Sequence, residues 1–244
     1  MKYALVDYKI NLVEKSNLEK LGCKVLTCPP YEKLYTAVCG HPDMLIHIID
    51  KESILVHKDM PTDFVELLKS LNFNVLKSNS SISDKYPYDI TLNAVNLSKL
   101  FMHYLKYTDE TLLNKVKDKI LINVKQGYTK CSTAIVSERA LITSDKSIAN
   151  SLKSTDIDVL LLPPGDIELP GLDYGFIGGC CGKIDDNTLA FYGDLSYYAY
   201  GKEVLSFLEK YNVRPVYLRN GKLIDRGSIF VVECHSHGKW QVTD

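Results

Sequence analysis

A thiol and an ammonium group stand side by side in the middle of the chain, where Lys130 and Cys131 directly precede an apolar segment. Cysteine reacts as its thiolate, and a neighbouring positive charge lowers the pKa of a thiol. We therefore predict Cys131 as a catalytic nucleophile and Lys130 as the residue that lowers its pKa. The alternative interpretation of Cys131 is a small buried side chain that begins a strand. The first interpretation predicts that Cys131 is the cysteine most readily alkylated.

Polar residues precede or begin two further apolar segments. His41 and Asp43 stand before one of them, and Asp89 and Asn93 stand at the start of the other. The two carboxylates can hold a cationic ligand, and a histidine can act as a base near neutral pH. Turn formation and helix capping are the alternative roles, and the prolines close to both pairs favour them.

The predicted order of strands and helices suggests how such residues are positioned. Two strands, a helix and a third strand recur in units of about 40–50 residues, a period typical of repeat architectures. A fifth unit is divided between the termini, because residues 3–28 form a strand, a helix and a strand, whereas residues 227–233 form a single strand. The four continuous units span residues 44–76, 90–124, 132–162 and 174–218.

Pairing of the N- and C-terminal segments would close these units into a ring and leave no exposed sheet edges. We therefore predict a single α/β domain over residues 1–244, a five-bladed ββαβ α/β-propeller. This arrangement resembles the pentein fold, which the guanidino-group-modifying enzymes share with the ribosome anti-association factor. The stretches QGYTKCS (126–132) and GFIGG (175–179) are also similar to those of an uncharacterised bacterial family with this fold.

The resemblance implies a central channel beside which the first strand of each unit begins. In the enzymes, a Cys opens the last such strand, a His lies at the start of the third unit, and acidic residues hold the guanidinium group. The matching positions here are Ser228 for the Cys, Tyr128 near the His position, and Asp43 and Asp89 for the acidic pair. The usual Cys–His pair is therefore absent from these positions, and a serine without a base is a poor nucleophile.

A small-molecule site in the central channel is the expected functional site, because polar groups that converge in a concavity are typical of such sites. The first functional hypothesis is a hydrolase or transferase, amidinotransferase-like, that acts on a guanidino or amidine compound, with a small cationic molecule as ligand. The second is a non-catalytic binding or scaffold protein, as the anti-association factor is. The predicted catalytic residues are Cys131 and Lys130, and the predicted substrate-binding residues are His41, Asp43, Asp89, Asn93, Tyr128 and Ser228.

Composition narrows the class of partner. The net charge is −1, from 29 basic and 30 acidic residues, so no overall field favours nucleic acid or an anionic membrane. No apolar run approaches the roughly 20 residues of a membrane span. The seven cysteines show no paired CxxC spacing, so we expect reduced thiols, no metal and no cofactor. Lysine greatly outnumbers arginine, which together with the reduced thiols indicates a bacterial, cytoplasmic protein whose protein partner, if any, is unspecified.

Two further clusters contain cysteines. Gly178 and Gly179 precede Cys180 and Cys181, which predicts either a loop that a ligand approaches closely or a strand bulge. The sequence CHSH at 234–237 resembles a set of metal ligands, but no second set stands at a suitable spacing. We therefore interpret residues 234–237 as a polar tail.

Overall fold

The computed structural model describes residues 1–234, which form five three-stranded sheets and six α-helices. In every sheet a first strand runs antiparallel to a middle strand, and the middle strand runs parallel to a third. An α-helix connects each middle strand to the third strand. The fold is therefore mixed α/β with five small sheets, as the repeat of ββαβ units predicts.

The strands are β1 Lys2–Asp7, β2 Cys23–Cys28, β3 Ile46–Ile48, β4 Ser53–Val56, β5 Asn74–Lys77, β6 Val95–Asn96, β7 Leu100–His103, β8 Ile120–Asn123, β9 Thr133–Ser137, β10 Ala140–Thr143, β11 Asp158–Leu161, β12 Cys181–Asp185, β13 Thr188–Phe191, β14 Arg214–Tyr217 and β15 Phe230–Glu233. The helices are α1 Leu12–Lys20, α2 Pro42–Leu45, α3 Thr62–Ser70, α4 Glu110–Val116, α5 Lys146–Ser151 and α6 Gly201–Lys210.

One sheet contains strands from both ends of the chain. Strand β15 pairs antiparallel with β1, so that Lys2 lies opposite Glu233 and Leu5 lies opposite Phe230. Strand β2 pairs with the other edge of β1 in parallel. The unit that the sequence divides between the termini is therefore assembled in one sheet.

The middle strands form the buried layer of the molecule. Strands β7, β10 and β13 are buried along their whole length, whereas the third strand β8 is mostly exposed. Such continuous apolar segments are typical of strands that are covered on both faces. Each fully buried leucine, isoleucine or phenylalanine contributes roughly 1.5–3 kcal/mol of transfer free energy to the folded state.

Helix ends follow local capping rules at some of the predicted positions. Helix α1 begins with a capping box between Asn11 and Glu14, and the Asp145 side chain accepts the Ile148 N–H at 2.9 Å at the start of α5. Asp109 caps α4, and its side chain accepts the N–H groups of Thr111 and Leu112.

The first strands begin later than the sequence predicts. The unit predicted over residues 90–124 has its first strand, β6, only at Val95–Asn96, and the unit predicted over residues 174–218 has its first strand, β12, at Cys181–Asp185. Turns and the one-turn helix α2 occupy the residues in front, because their N–H groups bond locally or to another unit instead of to a sheet partner. We call the five stretches directly before the first strands the leading segments: residues 41–45, 89–94, 127–132, 175–180 and 225–229.

Candidate functional site

Main-chain hydrogen bonds join the leading segments to one another. Each of the bonds connects residues of different sheets, so the segments hold each other in place independently of the strand ladders. The four bonds run from Asp43 N to Gly227 O (3.1 Å), from Ser228 N to Gly179 O (2.8 Å), from Gly179 N to Cys131 O (3.0 Å) and from Lys130 N to Asn93 O (3.1 Å). They bring five of the eight predicted site residues together.

Two glycines allow this close approach. A Cβ atom on Gly178 would lie 2.3 Å from the main-chain oxygens of Lys130 and Thr133, and a Cβ atom on Gly179 would lie 2.0 Å from Asp225 Oδ1. Both distances are well inside van der Waals contact, so a side chain at Gly178 would displace main-chain atoms and one at Gly179 would displace the Asp225 carboxyl. The glycines are thus explained by the approach of the protein's own chain.

A buried hydrogen-bonded chain connects Asp43, Ser228 and Lys130. Ser228 Oγ donates to Asp43 Oδ2 at 2.6 Å and accepts from Lys130 Nζ at 2.9 Å, and Nζ also donates to Gly178 O at 3.3 Å. Asp43 and Ser228 are fully buried, and 7% of Lys130 is exposed. Burial raises the pKa of Asp43, whereas the Lys130 charge and the Ser228 hydrogen bond lower it. Ser228 adopts a left-handed φ of 73°, which is uncommon for residues other than glycine.

Cys131 lies next to this chain, but its environment does not favour a thiolate. Its Sγ accepts from Asn93 Nδ2 at 3.0 Å, and Asn93 Oδ1 accepts the N–H groups of Lys130 and Cys131 at 2.8 and 3.1 Å. Burial raises the pKa of the Cys131 thiol well above its usual value, and the carboxyls of Asp43 and Asp225 raise it further. The ammonium group of Lys130 donates to Ser228 and Gly178, so its effect on the Cys131 thiol stays a prediction.

Asp89 and Tyr128 form a separate pair. Tyr128 donates its hydroxyl proton to Asp89 Oδ2 at 2.5 Å. Burial raises the pKa of Tyr128, and the bond to Asp89 raises it further. Burial likewise raises the pKa of Asp89, and the bond from Tyr128 opposes this. The two residues of the predicted acidic pair, Asp43 and Asp89, therefore have different hydrogen-bond partners.

His41 lies between two carboxyls that the sequence analysis does not identify. Its Nε2 is 3.6 Å from Asp7 Oδ2, and its Nδ1 is 3.8 Å from Asp225 Oδ1. Burial lowers the pKa of His41 to about 3, with further lowering by Lys9 and Arg226. Burial, with the nearby Asp43, raises the pKa of Asp225 to about 7. His41 is therefore neutral at pH 7, and both distances exceed those of a hydrogen bond.

Lys130 also lines a cavity of about 800 Å³. It is lined by residues of all five first strands and by the turns that follow them, and Lys130 is the predicted site residue that reaches it. The Lys130 ammonium group stands 5.7 Å from the centre of the Phe230 ring in the cavity wall. The sequence analysis also misses His47 and Lys119, which line this cavity. No sequence motif marks them, since each is a single polar residue in or beside a strand.

The cysteine clusters show no bound-metal or disulfide geometry in the described part of the chain. Cys180 and Cys181 are free thiols, and each donates to Ile177 O, at 3.0 and 3.3 Å. Residues 1–234 contain no group of three potential metal ligands, and residues 235–237 of the predicted polar tail lie outside the described residues. Within residues 1–234, no helix has the length and hydropathy to cross a membrane.

The sequence profile of DUF6873, a family of unknown function, matches residues 5–230. The chain belongs to this family. The match runs from within β1 to the first residue of β15. No curated protein sequence matches the chain.

Solved structures show what fold this DUF6873 protein has. SxtG, an amidinotransferase from Microseira wollei in the saxitoxin biosynthetic pathway, is 9% identical, with a TM-score of 0.51 over 82% of this chain and 71% of that chain. Inosamine-phosphate amidinotransferase StrB1 from Streptomyces griseus is 11% identical, with a TM-score of 0.54 over 85% and 73%. DDAH from Pseudomonas aeruginosa in complex with citrulline is 8% identical, with a TM-score of 0.51 over 88% and 91%. The similarity is one of fold, the pentein fold of the guanidino-group-modifying enzymes.

Proposed function

We propose that the five sheets close into a five-bladed propeller around a central axis. Two observations support closure: β15 pairs with β1, and the leading segments bond to one another across the sheets. A ring of this kind places the leading segments at one end of the axis and the cavity at the other. The polar cluster of Asp43, Ser228, Lys130, Asn93 and Cys131 then closes the axis between them.

We propose that the protein binds a small molecule in the cavity and does not carry out guanidino-group chemistry at the leading segments. The observation that carries the proposal is the position of Ser228, which is fully buried with its hydroxyl committed to Asp43 and Lys130. This residue stands where the resemblance implies a nucleophile. On the other side of Lys130, the cavity has the volume of typical small-molecule sites, which is about 300–1,000 Å³.

The other groups at the leading segments also lack the protonation states that the guanidino hypothesis needs. A nucleophilic cysteine must ionise, but burial holds the pKa of Cys131 high. A general base needs a pKa near the working pH, but that of His41 is about 3. A cationic ligand would need to reach Asp43, which has no exposed surface. Binding without turnover is therefore the function that the geometry supports best.

A ligand screen by thermal unfolding tests the proposal, because a ligand that binds the folded state stabilises it by about 2.7 kcal/mol at 100 times its Kd. The screen should contain acids, amines and guanidino compounds. In the variant Ile135→Trp an indole fills the cavity, so this variant should show no increase in unfolding temperature with the ligand. The control Ile120→Trp changes an exposed isoleucine of β8 and should still show the increase.

Two results would overturn the proposal. Absence of a shift for every compound class would favour a scaffold protein, which should lose partner binding only on mutation of its outer surface. Release of ammonia, an amine or citrulline from a guanidino compound, lost in Cys131→Ala or Ser228→Ala, would show that the leading segments catalyse a reaction.

A further inference from the structure

We propose that the cavity takes a small organic carboxylate with an apolar body and a hydrogen-bond donor next to the carboxylate, an inference that rests on the proposed binding function. Three polar groups of the cavity carry the argument, namely Lys119, Lys130 and His47. The first two supply cations without an anionic hydrogen-bond partner, and the third supplies an acceptor without a donor.

The ammonium groups of Lys119 and Lys130 donate hydrogen bonds to uncharged oxygen atoms. Lys119 Nζ donates to Asn96 Oδ1 at 2.6 Å and to Leu97 O at 2.7 Å, and Lys130 Nζ donates to Ser228 Oγ and Gly178 O. Within residues 1–234, neither ammonium group forms an ion pair with a carboxylate. Burial lowers the pKa of Lys119, and the nearby carboxylates of Glu138 and Asp50 oppose this. A ligand carboxylate would accept directly from ammonium groups that now donate only to neutral oxygens.

The acidic residues of the cavity, in contrast, all have partners. Asp50 Oδ1 accepts two main-chain N–H groups at 2.9 and 2.8 Å, and Glu138 Oε2 accepts the Ser98 N–H at 2.7 Å. Three further carboxylates pair with lysines: Lys2 Nζ lies 3.7 Å from Asp185 and 3.9 Å from Glu233, and Lys183 Nζ lies 3.5 Å from Asp186. Each carboxylate that lines the cavity therefore already accepts from a main-chain N–H group or lies near a lysine of the protein itself.

His47 adds an unpartnered acceptor. Its Nδ1 lies 3.1 Å from Leu92 O and therefore carries the proton, because a carbonyl oxygen only accepts. Burial lowers the pKa of His47 to about 4, so the ring is neutral at pH 7. Its Nε2 is buried and has no hydrogen-bond partner. A hydroxyl or amino group of a ligand would satisfy this atom, at a cavity wall formed by apolar side chains such as Ile48, Ile135 and Ile229.

The test is isothermal titration calorimetry with three matched probes: mandelate, its neutral amide mandelamide, and the cation benzamidine. Mandelate is expected to bind, and mandelamide at least about tenfold more weakly, since hydrogen bonds to charged groups are the stronger ones. Phenylacetate, which lacks the hydroxyl donor, should fall between them. Lys119→Met is expected to weaken mandelate about tenfold, and Lys153→Met, at an exposed site, should leave its affinity unchanged.

The outcomes separate the two proposals. Tighter binding of benzamidine or mandelamide than of mandelate would overturn the carboxylate assignment and leave the cavity as a ligand site. Equal affinity of Lys119→Met and wild type for mandelate would overturn the assignment as well. Absence of binding by all the probes, together with a negative thermal screen, would overturn the proposed binding function itself. Lys119→Met is preferred to Lys130→Met because Lys119 lies outside the buried polar chain.

Discussion

Replacement of Lys130 by methionine is expected to destabilise the protein, because it leaves the Asp43 carboxyl buried without its nearby cation. Removal of one partner of a buried charged pair costs about 3–5 kcal/mol. The cost here should lie near the lower limit, about 3 kcal/mol at pH 8, because Ser228 still donates to Asp43 and methionine keeps the packing of the lysine stem.

The penalty should also depend on pH. The Lys130 charge opposes the rise in the pKa of Asp43 that burial causes. Without this charge the folded-state pKa moves further above the unfolded value, so the folded variant binds a proton that the unfolded chain releases. The stability of the variant relative to wild type therefore falls as pH rises, by at most about 1.4 kcal/mol per pH unit. The destabilisation should be larger at pH 8 than at pH 5.

Urea denaturation followed by circular dichroism, at pH 5 and pH 8, measures these quantities. The set should contain Lys130→Met, Asp43→Asn, the double variant and the exposed control Lys153→Met. Residues in one hydrogen-bonded network couple by about 0.5–3 kcal/mol, so the double variant should be more stable than the sum of the single effects implies. A Lys130→Met penalty below about 1 kcal/mol, or one equal at both pH values, would refute the charge argument.

Three further predictions concern the same region. Gly178→Ala should lower the free energy of unfolding, measured by urea denaturation, by more than about 3 kcal/mol, because its Cβ would lie 2.3 Å from two main-chain oxygens. The control Gly165→Ala, at a residue with φ +101° in open space, should lower it by about 1 kcal/mol. Equal losses in the two variants would contradict the packing argument. The pKa of Asp225 is raised from 3.8 to about 7, so the wild-type protein should lose stability as pH rises between these values. Asp225→Asn should lack this pH-dependent loss, which a comparison of unfolding free energies across pH can show. Native alkylation by iodoacetamide, read by mass spectrometry, should modify the partly exposed Cys234 before the buried Cys131; the reverse order would restore Cys131 as the most reactive thiol.

The fold is predictable from the sequence because its signals are local. The ββαβ repeats follow from the spacing of apolar segments and turn residues, and the cap at Asp145 follows from the preference of aspartate for N-cap positions. The residue at which each first strand begins is not determined by the local sequence. The Lys130 N–H bonds to Asn93 O of another unit instead of to a strand of its own sheet, and no short-range pattern reports that choice.

The candidate site is predictable only in part, for a similar reason. Resemblance and position identify Asp43, Lys130 and Ser228, which do meet in the structure. The protonation and accessibility of these groups then depend on how deeply they are buried, which the sequence does not show. Asp7 and Asp225 illustrate the limit, because their role beside His41 depends on three segments that are distant in the chain.

Lys130 connects the buried cluster to the cavity, and this double contact links stability to binding. Its two hydrogen bonds to Ser228 and Gly178 hold the ammonium group, which lies 5.7 Å from the centre of the Phe230 ring. A binding group held by packed neighbours loses little conformational freedom when a ligand arrives, so it contributes more to affinity than a flexible surface lysine. In the proposed function, the polar cluster therefore supports the cavity, because the bonds that bury Ser228 also hold the Lys130 ammonium group in place for a ligand.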